Sequence, residues 1–247
     1  MTRVAAVVGL RVAPADAAKV ASEPIAPAEL VRLLQFASPA LPIGAFAYSQ
    51  GLEAAVELGL IHDEASARDW LLGTLESGLA RLDLPVLERL YRAFSCNDEV
   101  TAERWSEFLL ANREAAERRE EDRLLGRSLA RLLADQGVPG AARFIELECV
   151  THACVFALGA VHHHVPLGAA LLGFGFSWAE NQTGALSRLV PLGQLAAQRV
   201  LSALGAALPG AVERARALAD GDLGATLPGV ALVSALHETQ YTRLFKS

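Results

Sequence analysis

Residues 178–198, WAENQTGALSRLVPLGQLAAQ, constrain the fold more than any other stretch. They follow the most apolar part of the chain, yet they carry Glu180, Asn181, Gln182, Arg188, Gln194 and Gln198. Pro191 divides them. Its ring would clash with the carbonyl of Ser187, and it pushes Val190 out of helical angles. One helix therefore ends before Pro191 and another begins there, with the proline in its first turn. In the second helix Gln194, Gln198 and Ser202 recur every four residues and share a face, while Ala197, Leu201, Leu204 and Leu208 form an apolar one. Amide side chains perform no acid–base chemistry at neutral pH. A row of them bonds helix to helix, contacts a partner or lines a wet passage. The plainest reading is an interior row satisfied within the fold.

The same helical reading extends to the rest of the chain. Hydrophobic residues make up 52% of the 247 residues and aromatics only 6%, with Ala and Leu dominant. This predicts an all-α protein with close packing through small residues. No Gly/Ser- or Pro-rich linker interrupts the middle of the chain, so residues 28–236 are expected to form a single helical domain of about ten helices. Residues 1–27, with Pro14, Pro24 and Pro27, read as a mobile extension, and 237–247 as a separate tail. A net charge of −6 with no basic cluster argues against nucleic acid as a partner. The apolar run Val4–Leu10 stops at Arg11 and is too short for a signal sequence. Three cysteines make no disulfide framework and point to a reduced, cytoplasmic compartment. The most membrane-like region, 149–179, is cut by His162, His163, His164 and Pro166, so no membrane association is expected.

Along the chain, a helix starts at Ala28 and stops at Ser38-Pro39. The loop SPALPIGAFAYSQG reads as a core plug or as a partner-facing surface. A short helix, 51–58, closes at Gly59, and Asp63 caps a helix over 64–79. Asp83 is expected to cap the following helix, with Pro85 in its first turn. One long helix is expected from Glu99 to Ala134. Its middle, NREAAERREEDR, pairs opposite charges four apart at Arg113/Glu117, Glu114/Arg118 and Arg118/Asp122. Charge on nearly every face suggests that this helix stands away from the core or is covered by another chain. Helices are further expected over 141–161, 167–190, 191–208, 211–218 and 230–236, with a turn at Pro209-Gly210.

Motifs for nucleotide hydrolysis, a nucleophile elbow or an HExxH zinc pair are absent. Cys149, His152 and Cys154 are close in sequence, but Cys154 turns away on a helix and no fourth ligand follows. The run His162–His164 reads as a solvated turn that could take a divalent ion transiently. An enzyme using Glu180, His152 or His237 lacks any nucleophile–base pair at suggestive spacing, and the polar signal is spread over four surfaces. The tail, HETQYTRLFKS, mixes Tyr, Leu and Phe with cations, as a segment that docks on its own body or on a partner would.

Four of these stretches resemble one family. LLQFASPALPIGAFAYSQGLEAAVELGLI (33–61), NREAAERREEDRLLGRSLARLL (112–133), WAENQTGALSRLVPLGQLAAQRVL (178–201) and HETQYTRLFKS (237–247) are similar to the urease accessory protein UreF. The resemblance covers nearly everything from about Leu30 onward. It implies an all-α, dimeric, non-enzymatic protein that binds UreD (also called UreH), recruits the GTPase UreG and helps deliver nickel to apo-urease. Nickel is then cargo, and no cofactor is held tightly. By the same resemblance Tyr48, Arg113, Glu114, Glu117, Glu121, Asp122, Glu180, Asn181, Arg188, His237, Glu238, Gln240, Tyr241, Arg243 and Phe245 are partner-binding candidates. Gln182, Gln194 and Gln198 are candidates to line a passage, since neutral amides bind a metal weakly enough to release it. The chain departs from the family at Ala115 (usually Thr), Arg118 (usually Leu) and Arg188 (usually Lys).

Overall fold

A computed structural model describes residues 24–224 and 227–247. Most of the expected extension, 1–23, lies outside the described residues, but Ile25 packs against the core. Among the described residues there are eleven α-helices and no strand. The fold is all-α, as the sequence implies. The helices are α1 (Pro27–Ala37), α2 (Leu52–Glu57), α3 (Glu64–Thr74), α4 (Asp83–Ser95), α5 (Glu99–Ala111), α6 (Ala116–Asp135), α7 (Arg143–Glu146), α8 (His152–His162), α9 (Leu167–Leu189), α10 (Gly193–Ala217) and α11 (Pro228–His237).

Helix α4 is the centre. Leu84, Val86, Leu87, Leu90 and Phe94 are all buried, which one stripe of an amphipathic helix cannot achieve. α5, α8, α9 and α10 surround it. α9 and α10 pair around Val190, whose extended backbone (φ −121°, ψ 136°) is what the following Pro191 requires. α10 starts two residues beyond the proline, at Gly193. α1 lies against α9, where Gly173 leaves room for Leu33: a Cβ there would sit 2.4 Å from Leu33 Cδ1. Gly51, at φ +84°, brings α11 down on the start of α2, and a Cβ there would meet Val233 and Ser234 at 2.9 Å.

Several boundaries differ from those expected, each for a tertiary reason. The helix expected over 99–134 is two helices, α5 and α6, broken at 112–115. There Arg113 turns inward to Asp83 and Asp122, and Arg118 pairs with Glu121, so the pairs Arg113/Glu117, Glu114/Arg118 and Arg118/Asp122 do not form. Asp83 does not act as a cap; its carboxylate is committed to Arg113, and Leu82 holds the N-cap position. The helix expected over 141–161 is interrupted between α7 and α8, where Thr151 accepts from the Cys154 N–H as the N-cap of α8. The helix over 64–79 ends in one π turn, Leu75–Leu79.

Pro209 does not end a helix. α10 runs through it, because Leu204, Leu208, Ala211, Val212 and Ala215 bury one continuous face. Gly205, whose carbonyl loses its donor to the proline, is part-exposed and so open to water. Among the described residues α10 is the one helix long and apolar enough to span a membrane by composition, but its apolar face packs against α9, α3 and α4.

Candidate functional site

The N-terminal loop, the start of α6, the middle of α9 and the tail meet in one place. This corrects the reading of four separate polar surfaces. Within the loop, Leu41, Ile43 and Tyr48 are buried as a plug, while Phe46 is exposed. The Tyr48 carbonyl accepts from Asn181 Nδ2 at 3.2 Å. The Tyr48 phenol has its pKa raised by burial, with Glu121 and Glu120 adding to the effect. Arg188 donates to the Phe46 carbonyl at 2.7 Å and lies 4.4 Å above the ring of Phe245.

The tail docks on this surface of its own chain. Lys246 N–H donates to the Ala47 carbonyl at 2.8 Å, and Ser49 N–H and Oγ donate to the Ser247 carbonyl at 2.8 and 2.5 Å. Phe245 is buried, whereas Tyr241 and Leu244 are exposed. Glu53 organises the turn into this strap, accepting from Leu244 N–H at 2.7 Å and Phe245 N–H at 2.9 Å. His237 is fully buried between two carboxylates, with Nδ1 2.7 Å from Glu117 and Nε2 3.2 Å from Glu53. Arg243 pairs with the other oxygen of Glu117. Glu238 accepts from the N–H groups of Ala116 and Glu117 at 2.7 and 3.3 Å, and so caps α6, whose own N-cap residue is Ala115. Glu121 accepts from Gln50, Arg118 and Ser247, and Gln50 in turn accepts from Trp178 Nε1. The charged half of α6 is thus covered by the tail of the same chain.

Behind α11 lies a cavity of about 150 Å³. On its wall Arg113 bridges Asp83 and Asp122. Burial opposes the charge on Arg113, but Asp122 and Asp83 outweigh it and raise the guanidinium pKa further. His152 shares this cavity. Part of the residue reaches the surface, but Nε2 is fully shielded, and burial pulls the ring down to about 4 against the pull of Asp122.

Other predicted residues stand apart. Glu114 is exposed, and Gln240 is half-buried. Glu180 is half-buried on α9, with its carboxyl pKa raised by burial. Gln194, Gln198 and Ser202 face outward from α10, which corrects the interior reading of that row; Gln182 alone is buried. Cys154 is buried, with its thiol pushed up to about 12, and with Cys149 and His152 it makes no metal-holding group. Among the described residues no group of three or more His, Cys, Asp or Glu is placed to hold a metal ion. His163 rests on Phe36, with ring centroids 5.5 Å apart.

Ser49, Gln50, Glu53 and Asp83 are the residues sequence reasoning missed. Nothing in their spacing signals them, because their partners lie 30 to 198 positions away.

The sequence profile of the family described as UreF matches residues 61–205. This chain belongs to the UreF family. A urease accessory protein UreF from Chromohalobacter salexigens is 49% identical over 231 residues, covering 92% of this chain and 99% of the relative. Those from Marinobacter nauticus and Alkalilimnicola ehrlichii are 46% and 45% identical over 226 and 216 residues, covering 92% and 87% of this chain and 97% and 95% of theirs. Membership in the UreF family supports a role in urease maturation. Two of the four resembling stretches, 33–61 and 237–247, extend beyond or lie outside the profile match, and together with 112–133 and 178–201 inside it they build the junction.

Proposed function

We propose that this chain is a non-enzymatic, cytoplasmic, homodimeric assembly factor that joins UreD and the GTPase UreG to deliver nickel to apo-urease. The observation that carries this reading is the junction itself. A tail held by backbone and ionic hydrogen bonds, with Tyr241, Leu244 and Phe46 left exposed beside it, has the make-up of a docking platform and not of a reaction centre. No catalytic nucleophile converges there, and His237 is enclosed by the two glutamates that hold the tail.

In this reading nickel passes through the assembly as cargo. Gln182 would line a path inside the chain, whereas Gln194 and Gln198 could line one only against a second chain. The test is co-purification with UreD and UreG, comparing the full chain with one ending at Leu236. Loss of UreD on truncation is expected, and unchanged recovery refutes the tail's role. The isolated chain is expected to hydrolyse no GTP; clear turnover overturns the non-enzymatic assignment.

A further inference from the structure

His237 faces more acceptors than a neutral imidazole can serve. Its ring is fully buried, and each nitrogen meets a carboxylate oxygen, Nδ1 at 2.7 Å from Glu117 and Nε2 at 3.2 Å from Glu53. A neutral ring has one N–H and one lone pair, whereas an ionised carboxylate only accepts. One of the two contacts would then set a nitrogen lone pair against an oxyanion where no water can intervene. One extra proton removes the conflict, whether it sits on the ring or is shared with one of the acids.

The surrounding charges ask for the same proton. α2 presents Glu53, α6 presents Glu117, and the tail presents Arg243 to the other oxygen of Glu117. With the extra proton, the charges of these four groups cancel; without it, one net negative charge remains. Glu238 is turned toward the N–H groups of Ala116 and Glu117, and Glu121 accepts from Gln50, Arg118 and Ser247. His237 stands in the last turn of α11, where the helix dipole favours a cation, and Glu117 in the first turn of α6, where it favours an anion. The same two acids hold the strap: Glu53 takes the N–H groups of Leu244 and Phe245, and Glu117 takes Arg243. The charge of this cluster therefore sets how firmly the strap is held.

We propose that the tail is a proton-operated latch: residues 237–247 dock on α2 and α6 with the uptake of one proton and let go as the pH rises. An exposed imidazole loses its proton at about pH 6.5. Below that pH the released tail already carries the proton, and docking is at full strength. Above it docking must first draw the proton from solution, and its equilibrium constant falls about tenfold per pH unit. As a control on partner docking, the latch rests on the function proposed above; as a device, it rests only on contacts within one chain.

Amide hydrogen exchange of the full chain across neutral pH tests this, expressed as protection factors so that the intrinsic pH dependence of exchange cancels. Protection at Leu244 and Phe245 should fall about tenfold per pH unit above about pH 6.5, while α4 and α8 stay level. Glu117→Gln should keep the strap docked and flatten this slope. Its amide can donate to His237 Nδ1 while its oxygen still accepts from Arg243, so a neutral ring suffices and the charges still cancel. A level profile in the unaltered chain would overturn the latch, and so would the full slope surviving in Glu117→Gln. The unaltered chain decides alone where the variant does not fold. A level profile would leave the loss of UreD on truncation at Leu236 untouched, so the latch and the partner-docking role of the tail fail separately.

Discussion

Helix α6 contributes acids to two ionic clusters whose anchoring residues are five positions apart. Asp122 belongs to the triad with Arg113 and Asp83; Glu117 belongs to the group with His237 and Arg243. The residue types are nearly the same. What differs is the element that carries the partner. In the triad the partners come from α4 and the link between α5 and α6, so the cluster joins three parts of the helical body. In the second cluster they come from the tail and from the end of α11. The first cluster therefore bears on whether the domain folds, and the second on whether a terminal strap stays docked.

Substitution at Arg113 should separate the two most sharply. Arg113→Met leaves two carboxylates buried without a counter-charge and is expected to destabilise the whole domain by about 3–5 kcal/mol in denaturant unfolding. A loss below 1 kcal/mol would break the distinction. Acid should act next, through the same region. The His152 pKa in the folded chain, about 4, lies below its ordinary value, so its contribution is complete above about pH 6.5 and disappears as pH falls toward 4. Stability should drop by up to about 3 kcal/mol over that window. His152→Gln should flatten this slope, and Asp122, whose pKa is lowered, adds a further loss only at still lower pH.

Glu53→Ala removes the acceptor for Leu244, Phe245 and His237. It should free the strap at a cost of about 2 kcal/mol. Hydrogen exchange would show this as lost protection in 238–247 with α4 and α8 still protected. Loss of protection throughout would mean that the tail is part of the folding unit. The smallest effect is expected on α10: Gln194→Leu with Gln198→Leu should change the stability of the isolated chain by less than about 0.5 kcal/mol, since both side chains face solvent. Any effect they have should appear only in nickel transfer by the assembled complex.

Much of the helical body is legible in the residues because its signals are local. Asp63 caps α3, Pro191 ends α9, and Gly59 closes α2 at φ +71°. The misses share a cause. The break at 112–115 has no Gly or Pro; it exists because Arg113 finds an acid thirty residues earlier. Pro209 is a strong local breaker that a continuous buried face overrides. At the candidate site, Glu117, Glu121, His237, Glu238, Arg243 and Phe245 could be named from the motifs, but that they meet could not. Glu53 illustrates the gap. It is one acid in a short helix, and only the fold shows that it gathers two backbone N–H groups and an imidazole from the far end of the chain.

The cap that Glu238 places on α6 also imposes an order of events. The first turn of α6 is synthesised 122 residues before the carboxylate that satisfies Ala116 N–H. During elongation, at about 5–20 residues per second, that turn is exposed to water for several seconds at least. Its completion then waits on a contact far along the sequence, the kind of closure that slows folding. The start of α6 is therefore expected to be the last part of the charged helix to acquire its final shape, and the part a ribosome-bound chain leaves open longest.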